Sequence, residues 1–170
     1  MSTARRDPAT LPGRPCSIAS ALELVGDRWA LLAIREVMFG NHRFGEIARN
    51  TGAPRDRLAA RLKDLVEAGV LERRPSEQDP RYEAYHLTEA GHELGPVTRA
   101  LLAWGDKWAV TSPPMKMLHH DHPLTARTIC TTCGEPVDPR DVTREMTLPD
   151  WNLAGPVTAG STPRGDRHAH

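Results

Sequence analysis

Residues 42–87, HRFGEIARNTGAPRDRLAARLKDLVEAGVLERRPSEQDPRYEAYHL, decide the fold. Apolar residues recur there first at helical spacing and later in short β-like runs, with turn residues at each break. Four elements are predicted in this stretch, namely a helix over about 42–50, a second helix over about 54–68, and strands over about 70–74 and 82–87. A polar Ser-Glu-Gln-Asp-Pro tip joins the two strands. The order is therefore helix, tight turn, helix and β-hairpin.

The second helix of this stretch carries one apolar stripe and many basic residues. Leu58, Leu62 and Leu65 recur at spacings of four and three, so they are expected to face the core. Arg57 and Arg61, one turn apart, are then left outside, where arginine can donate to guanine or to phosphate. This order of elements is typical of a winged helix-turn-helix, in which the second helix enters a DNA major groove and the hairpin contacts the backbone.

Basic side chains on this helix, on the hairpin and on the preceding helix are the candidate DNA contacts. They are Arg43, Arg55, Arg57, Arg61, Lys63, Arg73, Arg74 and Arg81. The chain of 170 residues has no net charge, and residues 43–81 hold only nine basic against seven acidic residues. The DNA hypothesis therefore depends on where these side chains point. Two alternatives stay open: a solvated amphipathic helix, and a winged-helix protein-interaction module without specific DNA binding.

Helical patterns flank this stretch on both sides. The run over about 28–38 is apolar nearly all round, so it is expected to be the buried core helix. After Thr88, a candidate N-cap, one long last helix is predicted. Its apolar residues recur at alternating spacings of three and four, which favours packing against a second subunit. These dimer candidates are Leu94, Val97, Leu101, Trp104 and Trp108, of which the two tryptophans could instead line an effector pocket.

The predicted fold class is α+β: a mostly helical winged helix-turn-helix with a two- or three-stranded wing and a long C-terminal dimerisation helix. Its predicted parts are a flexible N-terminal tail over 1–14, the winged-helix domain over 15–112, a small Cys/His extension over 113–146 and a disordered tail over 147–170. No apolar run reaches the roughly 18–20 residues of a membrane span, and the N-terminus lacks the apolar stretch of a signal peptide. A cytoplasmic protein without a membrane partner is expected.

A series of short motifs runs from Cys16 to Trp108. They are Cys16-x-Ile18-Ala19, Leu24-Val25-Gly26-Asp27-Arg28-Trp29, Arg43-Phe44-x-Glu46-Ile47, Leu58-x-x-Arg61-Leu62, Glu67-Ala68-Gly69-Val70-Leu71-x-Arg73, Tyr85-x-Leu87-Thr88-x-x-Gly91 and Trp104-Gly105-x-x-Trp108. In this combination the chain resembles the HxlR-type family of bacterial winged helix-turn-helix regulators, distant relatives of the MarR group. The resemblance implies a homodimeric transcription factor, without enzymatic activity, that binds double-stranded DNA at a pseudo-palindromic operator.

The recognition helix departs from the family pattern at its start. Ala53-Pro54 and Asp56 stand where family members commonly have a serine cap and a basic residue. Asp56 favours the positive end of the helix dipole but repels phosphate. The operator sequence of the relatives therefore does not carry over to this chain.

Cys16 is a candidate sensor residue. It stands at the start of the first predicted helix, where the positive helix end can lower the pKa of a thiol and favour the thiolate. Some members of the family use a cysteine at this position to sense oxidants or electrophiles, so the resemblance implies an oxidant or small-molecule effector. The alternative is a small, half-buried residue that packs against the dimer helix.

The predicted extension contains a Cys/His cluster. Cys130-Thr131-Thr132-Cys133-Gly134 has the CxxC-Gly pattern of a knuckle that presents two thiolates to Zn²⁺. His119 and His122 complete the candidate metal set, with His120 competing for the place of His119. Two alternatives stay open, namely a degenerate motif without metal and a redox-active thiol pair, although no βαβ pattern supports a thiol-redox enzyme. The remaining histidines of the domain, expected to be isolated, are His42, His86 and His92.

Overall fold

The computed structural model describes residues 7–77 and 79–157 of the chain. The chain divides into two compact units, the first ending at Pro113 and the second beginning at Pro114. Parts of the two predicted tails, residues 1–6 and 158–170, lie outside the described residues.

The first unit consists of helices and one β-hairpin. In chain order these are α1 (Ser17–Val25), α2 (Arg28–Met38), α3 (Phe44–Thr51), α4 (Arg55–Glu67), β1 (Leu71–Pro75), β2 (Glu83–Leu87), α5 (Glu89–His92) and α6 (Gly95–Trp108), with a 3-10 turn at Pro8–Thr10 before them. Helix, turn, helix and hairpin follow one another here in the order that residues 42–87 predict.

Helix α2 is the centre of the core, as its apolar sequence predicts. It begins at a capped end, because the Asp27 carboxylate accepts hydrogen bonds from the amides of Trp29 at 2.8 Å and Ala30 at 3.3 Å. Ala33 and Ile34 are fully buried, and α2 contacts α1, α3, α4, α6 and β2. Burying a side chain such as Ile34 contributes about 1.5–3 kcal/mol, so α2 is the support on which the reading helices are held.

A tight turn joins α3 to α4. Gly52 ends α3 with a φ of 69°, a left-handed conformation that glycine adopts at little cost. Pro54 then stands at the N-cap of α4, where a missing amide hydrogen removes no helical hydrogen bond. Ile47 of α3 and Leu58 of α4 are both fully buried in the core that α2 organises. Shared packing against α2 therefore fixes the position of α4.

The wing is a two-stranded antiparallel hairpin. Its register pairs Leu71 with Leu87 and Pro75 with Glu83. On the open side of β2, the Tyr85 amide donates a hydrogen bond to the carbonyl of His42 at 2.8 Å. The wing therefore has two strands. In the described part of the chain, the backbone contact at His42 stands in the place of the third strand that the sequence left open.

The last predicted helix is interrupted, so it forms α5 and α6. Thr88 caps α5 as expected, because its Oγ1 accepts a hydrogen bond from the Gly91 amide at 3.2 Å. Pro96 lacks an amide hydrogen and its ring clashes with the carbonyl four residues before it, so the chain starts a new helix at this point. Leu94, at the break, is half-buried and packs on the core. Leu94 therefore packs in part within its own chain, and its contact with a second subunit stays a prediction.

The second unit has short pieces of regular structure. Strand β3 (Leu118–His119) pairs with β4 (His122–Pro123), and His120 in the turn has a φ of 55°. Isolated bridges join Ile129 to Pro136 and Trp151 to Pro156, and Pro139–Asp141 form a 3-10 turn. Hairpins and turns, rather than a core of its own, are thus the observed structure of residues 114–157.

Candidate nucleic-acid interface

Helix α4 turns one face to the core and the other to solvent. Leu58, Leu62 and Leu65 are fully buried, as their spacing predicts. Arg57 is exposed, and Arg61 keeps 39% of its side chain accessible. The structure therefore leaves basic residues of α4 on the surface, where they can meet a nucleic acid.

Acidic neighbours already pair with two of the basic residues of α4. Arg61 pairs with Asp64 at 3.1 Å, and Lys63 pairs with Glu67 at 3.6 Å. Among residues 7–77 and 79–157, no acidic side chain forms an ion pair with Arg57. Arg57 can therefore meet a phosphate or a base without first leaving a carboxylate.

The arginines of the wing are paired as well. The pairs are Arg73 with Glu83 at 3.3 Å, Arg74 with Glu72, and Arg81 with Asp79 at 2.8 Å. Hydrogen bonds from the side chain and backbone of Arg81 lower the pKa of the Asp79 carboxyl, so that group stays ionised. Each wing arginine thus carries a carboxylate that a DNA phosphate would have to replace.

Aromatic rings hold the two remaining arginines. The guanidinium carbon of Arg43 lies 5.1 Å from the ring centre of Tyr82, and that of Arg55 lies 4.9 Å from the ring centre of Phe44. Such cation–π contacts contribute about 0.5–1 kcal/mol at exposed sites and leave the edge of the guanidinium free to donate hydrogen bonds. Both arginines are therefore positioned without losing their positive charge to an acid.

This pairing pattern explains how a segment of balanced charge can bind a polyanion. A surface ion pair contributes about 0–1 kcal/mol, because water and salt screen it. Phosphates can therefore displace these carboxylates at small cost, whereas each carboxylate that remains nearby weakens the attraction. The described geometry thus favours moderate, salt-sensitive binding in which the unpaired arginines contribute most.

A buried carboxylate that the sequence analysis missed links α2 to α3. Glu36 is only 3% exposed. Its Oε1 accepts hydrogen bonds from the guanidinium of Arg35, the shorter at 2.6 Å, and its Oε2 accepts from the side-chain amides of Asn41 at 2.7 Å and Asn50 at 2.9 Å. In the sequence, the only sign of this buried carboxylate is an acidic residue within the apolar run of α2. Through these bonds Glu36 ties the start and the end of the α3 segment to the core helix.

Cys16 is the N-cap of α1 and is half-buried. Hydrogen bonding from the amides of Ala19 and Ile18 lowers the pKa of its thiol, and the positive charge of Arg14 adds to this effect. The lowered pKa raises the fraction of thiolate at Cys16, the candidate sensor residue.

Apolar side chains are exposed on α1 and α6. On α6, Val97 and Leu101 are each 53% exposed, and Trp104 and Trp108 are 60% and 66% exposed. Ile18 of α1 is 70% exposed. Large apolar residues grouped on exposed helix faces typically mark an interaction surface, because their contact with water is unfavourable.

The predicted zinc ligands are not assembled into a site. Within residues 7–77 and 79–157, no group of three or more His, Cys, Asp or Glu side chains is arranged to hold a metal ion. The ring centres of His119 and His122 lie 5.5 Å apart, while Cys130 and Cys133 are free thiols. Hydrogen bonds from the amides of Cys133 and Thr132 lower the pKa of Cys130 to about 7. The CxxC turn therefore favours a thiolate, but the histidines do not complete a metal centre.

Two histidines expected to be isolated are in contact. The rings of His42 and His86 stack with their centres 4.4 Å apart and their planes at 16°. The Nδ1 atom of His42 lies 2.8 Å from the carbonyl oxygen of Tyr85, and since a carbonyl only accepts, this nitrogen carries the hydrogen. The pairing of His42 with β2 was not visible in the sequence, because it depends on how the wing meets the residues before α3.

Comparison with known proteins shows clear similarity. The model of the HxlR-like helix-turn-helix family matches residues 24–113. The uncharacterised HTH-type transcriptional regulator Rv3095 of Mycobacterium tuberculosis is 47% identical over 134 residues, which cover 76% of this chain and 84% of that protein. The HTH-type transcriptional regulator YodB of Bacillus subtilis is 37% identical over 90 residues, which cover 52% of this chain and 80% of YodB. YodB has been solved in a reduced form and in a quinone-bound form.

The fold is also similar to a solved structure. The crystal structure of PA1607, described there as a proposed transcription factor, has a TM-score of 0.69 and 30% sequence identity, and the match covers 76% of this chain and 94% of that one. The α+β winged helix-turn-helix predicted from the sequence is therefore confirmed. No helix among the described residues is long and apolar enough to cross a membrane.

Proposed function

Because this chain belongs to the HxlR-like helix-turn-helix family, and is therefore a DNA-binding transcriptional regulator and not an enzyme, we propose that it acts as a homodimer on a pseudo-palindromic operator. The protein recognises its operator by holding two helices at a fixed spacing. The α4 helices of two subunits enter successive major grooves, with half-sites about 10 base pairs apart, and the wings contact the flanking backbone. We expect the protein to act in the cytoplasm, where bacterial DNA lies.

The division of α4 into a buried and a basic face is the observation that carries the proposal. Leu58, Leu62 and Leu65 are fixed in the core, so Arg57 and Arg61 can only face outward. We expect Arg57 to contribute more than Arg61, because Arg61 must first leave Asp64. On the wing, Arg74 serves as a phosphate contact that is insensitive to sequence.

The proposed dimer uses the exposed apolar faces of α1 and α6. Val97, Leu101, Trp104 and Trp108 recur along α6 at the spacing expected for helix packing, and each is more than half exposed in the single chain. Covering these faces with a second copy removes large aromatic and aliphatic surfaces from water.

The proposed signal is an oxidant or an electrophile that reacts with Cys16. Two observations support this. The amides at the start of α1 lower the pKa of the Cys16 thiol, and the related regulator YodB has been solved with a quinone bound. Because Cys16 begins a helix whose exposed face includes Ile18, a modification there would alter the proposed dimer and the spacing of the two α4 helices.

Measurements of DNA affinity test the proposed contacts of α4 and the wing. Operator fragments are selected from host genomic DNA, and affinities are measured by fluorescence anisotropy at several salt concentrations. Arg57→Ala is expected to weaken operator binding by about 1–3 kcal/mol if it contacts a base, and Arg74→Ala is expected to weaken all sequences alike and to lower the salt dependence. Arg140→Ala, which removes an exposed and ion-paired arginine of the second unit, is the matched control. Equal operator affinity of wild type, Arg57→Ala and Arg74→Ala contradicts the proposed reading head.

Sedimentation equilibrium tests the dimer. Leu101→Glu places a charge in the exposed stripe of α6 and is expected to give a monomer at concentrations where wild type is dimeric. Val142→Glu, at an exposed apolar residue of the second unit, is the control and should leave the association state unchanged. A wild type that stays monomeric, or a Leu101→Glu variant that stays dimeric, contradicts this assignment.

A further inference from the structure

An open cleft of about 400 Å³ lies in the first unit, between the end of α2, the residues before α3, the wing and α5. Val37, Met38 and Leu87 give it an apolar wall. His42 and His86 also line it. The cleft therefore combines an apolar surface with imidazole rings, which suits a flat ligand that has both an apolar and a polar part.

The two imidazoles present a preformed flat surface. Their rings are stacked at 4.4 Å, and the hydrogen bond from Nδ1 of His42 to the Tyr85 carbonyl holds the first ring in place. That bond uses Nδ1, so Nε2 is the nitrogen of His42 that a ligand can address. Aromatic rings stack on such surfaces with little loss of conformational freedom on the protein side.

The fixed charge of the cleft comes from Arg74. This arginine lies on the same face of the hairpin as His86, because its neighbour Glu72 is directly opposite His86 in the register. Burial lowers the pKa of His86, and the nearby His42 and Arg74 lower it further, while Glu72 and Glu77 act in the opposite direction. At neutral pH the lining of the cleft thus includes the permanent positive charge of Arg74 and an uncharged imidazole at His86, and His92 is a further lining residue.

We propose that this cleft binds a small aromatic carboxylate, whose ring lies against the apolar wall and the stacked histidines and whose carboxylate takes the place of Glu72 on Arg74. The Glu72 carboxylate and the ligand carboxylate are the same chemical group, and both would bind the exposed guanidinium of Arg74. One carboxylate can therefore replace the other at small cost. An apolar wall of three side chains disfavours a bare phosphate, and a single fixed charge suits a monoanion.

Such a ligand would also act on DNA binding, a step that rests on the proposed function. Arg74 is a wing arginine that we expect to contact phosphate. A carboxylate bound to Arg74 occupies the same guanidinium and leaves the wing without that contact, so ligand and DNA compete. The cleft would therefore make the regulator responsive to aromatic acids by a route independent of Cys16.

Calorimetry without DNA tests the cleft itself. The full chain is titrated with 2-naphthoate and, as an uncharged analogue of nearly equal shape, 2-naphthamide. We expect 2-naphthoate to bind about tenfold or more tightly than the amide, and Arg74→Gln to lose that advantage. Glu72→Gln should tighten 2-naphthoate binding by about two- to threefold, because a competing carboxylate is removed. Arg73→Gln changes the opposite face of the same strand, so in this titration it is the matched control and should bind 2-naphthoate like wild type.

Three results would overturn the assignment. They are no heat of binding for 2-naphthoate in the millimolar range, equal affinity for acid and amide, and 2-naphthoate affinity unchanged by Arg74→Gln. A second measurement separates the regulatory step: saturating 2-naphthoate should weaken operator binding of wild type several-fold and leave that of Arg74→Gln unaffected. If 2-naphthoate binds but operator affinity is unchanged, the competition is refuted. If the protein shows no salt-sensitive DNA binding, the proposed function fails, and the titrations still decide whether the cleft is a carboxylate site.

Discussion

Removing the two asparagines that hold Glu36 should cost far more together than separately. Oε2 of Glu36 accepts hydrogen bonds from Asn41 at 2.7 Å and from Asn50 at 2.9 Å, while the other oxygen is bound by Arg35. Asn41→Ala or Asn50→Ala leaves one donor on Oε2. The double variant leaves none, in a side chain that is only 3% exposed.

The magnitudes follow from this geometry. A hydrogen bond to a charged group contributes about 1.5–3 kcal/mol. Asn50 is exposed, so water can partly replace its hydrogen bond to Glu36. The higher helix propensity of alanine also adds about 0.5 kcal/mol of stability. The net loss in the free energy of unfolding for Asn50→Ala is therefore about 1 kcal/mol. A buried charge left without partners costs about 3–5 kcal/mol, less the contribution of the remaining Arg35. Asn41 lies outside a helix and is half-buried, and after Asn41→Ala the Asn50 donor remains on Oε2, so we expect a loss of about 1–1.5 kcal/mol for this variant. For the double variant we expect a loss of about 3–4 kcal/mol, which exceeds the sum of the two single losses.

The measurement is urea unfolding at pH 7, followed by far-ultraviolet circular dichroism at one fixed protein concentration, since association would shift the transition. Lys63→Ala is the control: it removes an exposed cation paired with Glu67 and should change the free energy of unfolding by less than about 0.5 kcal/mol. Additive losses in the double variant, within about 0.5 kcal/mol, would refute the reasoning, because they would mean that solvent satisfies Oε2.

The remaining predictions concern the core, the DNA interface and pH. Leu62→Ala should lower the free energy of unfolding by about 2–5 kcal/mol, because Leu62 is fully buried, and a loss below about 1 kcal/mol in urea unfolding would contradict its place in the core. Asp64→Asn should tighten operator binding by about two- to threefold in anisotropy titrations, because it frees Arg61 and removes a charge that repels phosphate, and weaker binding would contradict this. The pKa of His86 is lowered from its usual 6.5, so the unfolded chain takes up the proton first and stability falls as pH drops below about 6.5. His86→Asn should flatten the dependence of the unfolding midpoint on pH in that range, and an unchanged slope would contradict the shift.

The local sequence pattern was sufficient to predict most of the helix-turn-helix. The leucine spacing of α4 identified its buried face, and Gly52 and Pro54 marked the turn before it, because helix periodicity and backbone freedom depend on residues close in sequence. The break before α6 was missed although Pro96 stands in the sequence, because the heptad-like spacing across it was given more weight.

Long-range contacts account for what the sequence could not supply. The stacking of His42 on His86 arises only when β2 reaches the residues before α3, and the four predicted ligands in the extension do not meet in the described structure. The paired state of the arginines also escaped prediction. A pair such as Arg73 with Glu83 depends on the register of the hairpin, which a sequence fixes only approximately.

The amino-acid sequence by itself determined the order of elements, the buried stripe of α4 and the family to which the chain belongs, because periodicity, caps and short motifs are local properties. The tertiary structure alone decided which charges are available. In the part of the chain that the structure describes, it left Arg57 without an acidic partner, placed Arg74 beside Glu72 at the edge of a cleft, and buried Glu36 among asparagines. The reason is physical: the strength of a charge depends on its neighbours and on its access to water, and both are set by packing between residues far apart in the chain.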